Sequence, residues 1–396
     1  MTAPKLRFDG FDSDWALDSI GAVISNKSKK YDPEKSEIDF PCIELEHLSQ
    51  QTGEILGTVS AKDQKSIKNV FDENSVLFGK LRPYLRKFAK PKFQGVCSSE
   101  IWVLTSKKMQ PNFLFQYVQT DGFSELTQIQ AGSKMPRADW GSISNGEILF
   151  PIFEEQTKIA SFLSAVDEKI SQLTQKLHLL SQYKQGMMQK LFSQQLRFKA
   201  DDGSEFDEWN DIQLKDISHR ITRKNKELNQ NALTISAQLG LINQQEYFSK
   251  QIASRDLSKY YLLHKGEYAY NKSYSAGYPM GAIKRLKLYD KGVVSTLYIC
   301  FSLNEYINSD YFEQFVESGL LVPELEKIAQ EGARNHGLLN ISLQEFFEVN
   351  LKMPSLDEQA KIANFLSAID QKIEVTAQQI EQAKQWKKGL LQQMFV

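Results

Sequence analysis

The sequence predicts an α+β fold: two variable domains of mixed α/β structure, each followed by a long helix, with the two helices forming an antiparallel coiled coil in a pseudo-twofold internal repeat. Three observations predict it. The stretch Pro151 to Ile170, PIFEEQTKIASFLSAVDEKI, returns at Pro354 to Ile373 as PSLDEQAKIANFLSAIDQKI, a shift of 203 residues without a gap. Continued to Phe192 and Phe395, the match holds 19 identities in 42 positions, far above chance, and marks an internal repeat. The repeated segments carry apolar residues in steps of four and three, the seam of a coiled coil. Between them lie glycine-opened runs of β-branched and aromatic residues of the kind that form strands.

In chain order this gives a first variable domain over 1–150, a long helix over 151–193, a second variable domain over 194–353 and a second long helix over 354–396. The landmarks inside the domains keep the same order in both halves. LRF followed by FDxxW ends at Trp15, and LRF followed by FDEW ends at Trp209. A basic turn follows each, ISNKSKK after Val23 and ISHRITRK after Asp216. Gly95-Val96-Cys97-Ser98 and Gly292-Val293-Val294-Ser295 open the strand-like runs, and NFLFQYV from Asn112 matches DYFEQFV from Asp310. Gly132-Ser133-Lys134 and Gly332-Ala333-Arg334 stand about twenty residues before each repeated segment.

The first seam reads Ile159, Leu163, Val166, Ile170, Leu173, Leu177 and Leu180, and continues at Met187 and Leu191. The second reads Ile362, Leu366, Ile369, Ile373, Thr376, Ile380, Ala383, Leu390 and Met394. Lys184 and Lys387 hold the one seam position that is polar in both. Glu154, Glu155, Asp357 and Glu358 suit the first turns, where the helix dipole favours acids. Each helix should run about 38 residues, on the order of 57 Å. Gly186 and Gly389 interrupt good helix formers at matching places, which predicts the close approach of another helix there. Packing of each stripe on its own domain is the competing arrangement. Pairing of the helices with each other is the one favoured by their length, and would make them a ruler between two equivalent domain faces.

Composition removes several function classes. The 396 residues carry a net charge of −1 and a mean hydropathy of −0.42, without an apolar run long enough to span a membrane. The N-terminus lacks the features of a signal peptide, so the expected location is cytoplasmic. Cys42, Cys97 and Cys300 are too scattered for a disulfide framework and are expected to be small buried residues; no paired CxxC suggests zinc. No phosphate-binding GxxxxGK[ST] or strand-linked GxGxxG occurs. No cofactor, metal or catalytic residue is therefore expected in this chain.

Two domains related by a twofold suit duplex DNA, whose backbone has the same symmetry and whose grooves recur about every 34 Å. Overall charge does not decide the matter: residues 1–150 hold 19 basic and 19 acidic side chains, and residues 201–353 hold 17 and 21. Local clustering is more telling. Between Lys80 and Lys108 stand Lys80, Arg82, Arg86, Lys87, Lys90, Lys92, Lys107 and Lys108 against the single acid Glu100, interleaved with Tyr84, Phe88, Phe93 and Trp102. From Arg255 to Lys291 eight basic residues face three acidic ones among several tyrosines. The expected phosphate contacts are Lys27, Lys29, Lys30, Lys80, Arg82, Arg86 and Lys87 in the first half, and Arg220, Arg223, Lys224, Lys272, Lys284 and Arg285 in the second. The expected base-reading residues are Lys134, Arg137, Tyr274, Arg334, Asn335 and His336.

On these residues the chain resembles a known family, the specificity subunits of type I restriction-modification systems. The resemblance rests on the twice-repeated EQxKIAxFLSAxDxKI, the helix ends Lys184 to Phe192 and Lys387 to Phe395, and the linker LFSQQLRFKADDGSEFDEW. SVLFGKLRPYL from Ser75 and NKSYSAGYPMGAIKR from Asn271 also look like sequence of such proteins. The resemblance implies two target recognition domains, each reading one half of a gapped double-stranded DNA site, and helices that dock two modification (methyltransferase) subunits. It places S-adenosylmethionine in those subunits, and ATP and Mg in separate restriction subunits. An adenine methyltransferase would show Asn or Asp followed by Pro-Pro-Tyr/Phe, and Asn271-Lys272-Ser273-Tyr274 lacks both prolines. The alternative is a coiled-coil scaffold whose variable domains bind proteins. If the helices are a ruler, one heptad inserted into each lengthens the gap in the recognised site, as mapping of modified adenines would show; an unchanged gap refutes the ruler.

Overall fold

The computed structural model describes residues 3–128, 130–131, 135–248, 256–329 and 339–396. The chain divides into two compact units, Met1–Gln175 with Thr376–Val396, and Lys176–Val375. The long helices run Phe153–Phe192 and Leu356–Met394, beginning close to the boundaries expected from sequence. Compactness shares each helix between the units, so the helices are not separate parts of the architecture.

In the first unit the strand Ala16–Ser19 pairs antiparallel with Glu147–Phe150, which leads into the helix. A four-stranded sheet follows in the order Ile24–Ser25, Ile101–Ser106, Val76–Gly79, Phe88–Ala89. A five-stranded sheet, Lys30–Tyr31, Lys68–Phe71, Gly95–Cys97, Pro41–Ile43, Val59–Ser60, and the pair Gln130–Ala131 with Arg137–Ala138 lie beside it. The second unit repeats the first two arrangements. Asn210–Gln213 pairs with Asn350–Met353 just before the second helix. Its four-stranded sheet has the order Ser218–Ile221, Ile299–Leu303, Tyr268–Asn271, Ala282–Arg285. The outer part differs, with one hairpin, Leu233–Ser236 with Gly240–Asn243, and one pair, Tyr261–His264 with Lys291–Val294. The repeat therefore extends to strand order around the helices and fades away from them.

Most positions of the repeated helix start have an assigned task. Glu155 is fully buried, and the Arg7 guanidinium grips both its oxygens at 2.7 and 2.8 Å while the Trp15 indole N–H donates at 3.4 Å. Glu358, equally buried, receives the Arg197 guanidinium at 3.0 and 2.8 Å and the Trp209 indole at 3.1 Å. The expected dipole contribution of these acids is thus joined by a paired charge, which is what burial of a carboxylate demands. Next, Gln156 and Gln359 accept from the backbone N–H of Gln110 and Asn308, the residues that cap the helices Pro111–Tyr117 and Ser309–Glu317. Phe162 and Phe365 meet Phe8 and Phe198 edge to face, with centroids 5.7 and 5.6 Å apart. The leading LRF segments thus fasten through both their arginine and their phenylalanine.

Within each unit the two helices meet antiparallel. In the first, Ile159, Leu163 and Val166 share a core with Leu390, Leu391, Met394 and Phe395 from the end of the other helix. In the second, Met188, Leu191 and Phe192 share one with Ile362, Ala363, Leu366 and Ile369. The same cores contain Trp15, Ile20 and Phe113, or Trp209, Ile217 and Tyr311, from the domains. The two arrangements weighed from sequence, stripe on stripe and stripe on domain, therefore coexist. Leu173, Thr376 and Ile380 are buried, and Ile170, Leu177, Leu180 and Ile373 half-buried.

The polar seam lysines have carboxylate partners on the facing helix. Lys387 binds Asp167 and donates to Gln119, while Lys184 binds Asp370 at 2.7 Å. Gln116 and Gln314 donate to the same aspartates at 3.0 and 2.8 Å. Burial pulls the Lys387 ammonium below the usual lysine range, against the pull of Asp167. Gly186 and Gly389 do not meet a helix of this chain in the way expected from sequence. A Cβ on either meets nothing within 4 Å, so among the described residues no segment of this chain presses on them. Gly95 and Gly292 are among the constrained glycines instead, since a Cβ there would run into Pro41 and Phe71, or Leu233. Cys42, Cys97 and Cys300 are buried and free, and burial pushes the Cys42 and Cys300 thiols up to about 12.

Two stability changes follow. Arg7→Ala strands the buried Glu155 carboxylate and should lower unfolding free energy by about 3 kcal/mol in chemical denaturation, the scale for breaking a buried pair. A loss under about 1 kcal/mol would show that the clamp is not what holds the leading segment. Gly186→Ala and Gly389→Ala should each raise it by about 0.5 to 1 kcal/mol.

Candidate nucleic-acid interface

In the first unit the strand Val76–Gly79 is buried along its whole length and ends at Gly79, after which the basic run turns out of the sheet. Backbone bonds hold this turn in place: Lys80 N–H to Glu100 O at 2.9 Å, Ala138 N–H to Lys80 O at 2.9 Å, and Arg82 N–H to Pro136 O at 2.8 Å. Arg82 and Arg86 flank the turn Pro83–Leu85 with φ of 51° and 49°, a left-handed conformation uncommon for arginine. Such strain persists only where the surroundings fix it, and functional loops are a frequent place for it.

The basic side chains divide into two groups. Arg82 is exposed, with no internal partner among the described residues, beside Tyr84 at 52% exposure. Lys27, Lys29 and Lys30 are exposed after the strand Ile24–Ser25, with Lys30 donating to Asn69. Lys80 is half-buried near Glu100. Arg86, by contrast, binds Asp121 at 2.9 Å and the Gln119 carbonyl, and Lys87 donates to the Leu45 carbonyl at 2.8 Å. Gln392 and Arg86 hold the Asp121 carboxyl below the usual carboxylate range. Arg86 and Lys87, expected to hold phosphate, thus serve the interior of their own unit.

Arg137 lies next to this turn, since Leu81 and Arg137 form a β-bridge. Its Nε is 3.0 Å from Glu100 Oε2 and its Nη2 is 3.0 Å from Oε1. That contact holds the Glu100 carboxyl below its usual range, with Lys80 adding to the effect. Glu100 was the one acid in the basic run, and that isolation was the signal for its role. Lys134 lies outside the described residues.

In the second unit the loop Lys272–Gly281 leaves the equivalent strand, Tyr268–Asn271. Here Leu339 N–H donates to the Lys272 carbonyl at 2.8 Å and Lys272 Nζ to the Ile341 carbonyl at 3.2 Å. Both units therefore tie the loop after this strand to chain that follows the second glycine landmark. Tyr274 projects from the loop with 65% exposure, and Arg220 is exposed. The other basic residues expected to hold phosphate are engaged. Lys284 binds Glu317 and donates to Tyr278, Arg285 binds Asp310 at 2.8 Å, and Arg223 binds Glu267 at 2.6 Å. Lys224 donates to the Lys259 carbonyl and lies 4.3 Å over the Tyr261 ring. Burial and Glu317 push the Tyr278 hydroxyl up. Arg334, Asn335 and His336 lie outside the described residues.

Comparison with known proteins places these features in a family. The family model described as type I restriction modification DNA specificity domain matches residues 13–182 and 207–385. Over 131 residues the chain is 28% identical to the type I restriction enzyme EcoDI specificity subunit of Escherichia coli, covering 32% of this chain and 29% of that protein. It is 30% identical over 131 residues to the MjaVIII specificity subunit of Methanocaldococcus jannaschii, covering 31% of each. These alignments thus span under a third of either relative. Among solved structures, the HsdS subunit from Thermoanaerobacter tengcongensis has a TM-score of 0.52 at 17% identity, over 100% of this chain and 99% of that one. A specificity subunit from M. genitalium has 0.57 at 16% identity, over 100% and 99%. A chain solved in work on complex assembly and conformational transition of the type I restriction-modification system has 0.59 at 17%, over 96% and 97%. At such identities the structural likeness shows a shared fold.

Two arginines four residues apart should separate in experiment. Arg82→Ala should weaken DNA binding for all sequences and lower the salt slope by about one, with unchanged thermal stability. Arg86→Ala should lower stability by about 1 to 2 kcal/mol through loss of Asp121 and the Gln119 carbonyl. Equal effects on binding and equal stability would contradict this division.

Proposed function

The chain belongs to the type I restriction-modification DNA specificity family, and from that premise we propose that each unit reads one half of a bipartite, gapped site in double-stranded DNA. The observation that carries this is the equivalent loop in both units, Lys80–Lys87 and Lys272–Gly281, fastened to chain after a glycine landmark and carrying exposed Arg82 and Tyr84, or Tyr274. Arg82, Lys27, Lys29 and Arg220 are the available phosphate contacts, joined by Lys30, which is exposed while donating to Asn69, with Arg137 and Tyr274 facing bases. Lys134, Arg334, Asn335 and His336 stay in the proposal on their sequence position alone.

The helices serve as the docking surface for two methyltransferase subunits. Leu179 and Tyr183 on the first helix and Val375 on the second are more than half exposed, which favours burial by a partner. Those subunits would carry S-adenosylmethionine and methylate adenine, and restriction subunits joined through them would use ATP and Mg in the cytoplasm. In this assembly the chain supplies address and geometry, and its partners supply the chemistry.

The test is co-expression with its cognate modification subunit in a host lacking adenine methylation, followed by genome-wide mapping of modified adenines. A gapped motif with one modified adenine on each strand is the expected result. A stable complex with an active methyltransferase that modifies no defined motif would overturn the reading in favour of a protein-binding scaffold.

A further inference from the structure

We propose that Arg137, held in place by Glu100, reads a guanine in the half-site contacted by the first unit, with Glu100 as the positioning residue. This rests on the DNA-reading function above and adds the base class and the device. A guanidinium has five N–H donors in a planar fork. Glu100 occupies the inner edge through Nε and Nη2, and Nη1 reaches the Met135 carbonyl at 3.4 Å. Glu100 leaves the outer Nη1–Nη2 edge open, with one donor on each nitrogen unspent, on a side chain that is 41% exposed. Paired parallel donors match the O6 and N7 acceptors of guanine in the major groove; adenine presents an amino donor where guanine has O6 and cannot accept both.

The mounting is rigid at each end. Glu100 receives Lys80 N–H on its carbonyl, Ala138 next to Arg137 donates to the Lys80 carbonyl, and Leu81 bridges to Arg137. Loop, strand start and arginine thus form one frame, so little side-chain freedom is left to lose on binding. Arg86 and Arg285 also meet carboxylates but are only 26% and 15% exposed, and Arg223, 39% exposed, meets Glu267 through Nη2 alone. Arg137 combines a carboxylate-braced inner edge with an open outer one, and it stands beside the exposed Arg82 that would hold the adjoining backbone. In the second unit the residue before the matching strand Ile299–Leu303 is Tyr298, so the position of Glu100 holds no carboxylate there.

The experiment uses the full chain in complex with its modification subunit, with adenine mapping in cells and binding to duplexes carrying each base at each position of the wild-type site. Arg137→Lys keeps the charge and removes the fork, so discrimination at one guanine of one half-site should fall about tenfold to hundredfold. Glu100→Ala should relax the same position, and the other half-site should keep its preferences in both variants. Unchanged preference at every position in Arg137→Lys and Arg137→Ala overturns the inference. So does equal weakening on all duplexes, the mark of a phosphate contact, which is the behaviour expected of Arg82→Ala. If the wild-type complex itself prefers no base, it is the DNA-reading function that falls; if it reads a gapped site and the Arg137 variants read the same one, only the inference does.

Discussion

The structure turns on a carboxylate buried at the start of each long helix. Glu155 and Glu358 have no water to face, and each is held by a guanidinium and an indole from a segment far away in sequence. A buried ion pair need not add net stability, because desolvation offsets much of the attraction. What it imposes is geometry: any other placement of the leading segment leaves a bare charge in the core. Once Arg7 or Arg197 is seated, the following strand lies beside the strand that feeds the helix, and the domain closes on its own helix start.

A second polar constraint orders the helices against each other. Apolar seams alone tolerate sliding by a heptad, since one leucine packs much like the next. Lys387 on Asp167 and Lys184 on Asp370 remove that freedom, each joined by a glutamine from the adjoining domain. One small network thus couples helix register to domain position. The same logic accounts for a repeat that is strict in the helices and loose in the outer sheets: the helix network needs specific atoms, while a sheet edge needs only apolar residues at the right alternation.

Several of the cations expected to hold phosphate are spent on the protein itself. Arg86, Lys87, Lys272, Lys284, Arg285, Arg223 and Lys224 all have internal acceptors. A family of DNA readers with near-neutral domains fits this distribution. A cation that serves an internal carboxylate or carbonyl adds less to binding that ignores sequence than a free one.

Sequence by itself determined the repeat, the two helices, their seams and the order of the parts, because helical periodicity and segment identity are properties of neighbouring residues along the chain. It also marked the polar seam lysines and the lone acid in the basic run, without naming their partners. Tertiary structure decided which cations have internal partners, what Glu155 and Glu358 do, and that among the described residues Gly186 and Gly389 have open space where a side chain would go while Gly95 and Gly292 do not. The physical reason is separation: the residues that settle these points stand 148 residues away for Arg7 and Glu155, and 161 for Arg197 and Glu358. A composition count gives the number of charges; only the folded chain shows which acceptors each one meets.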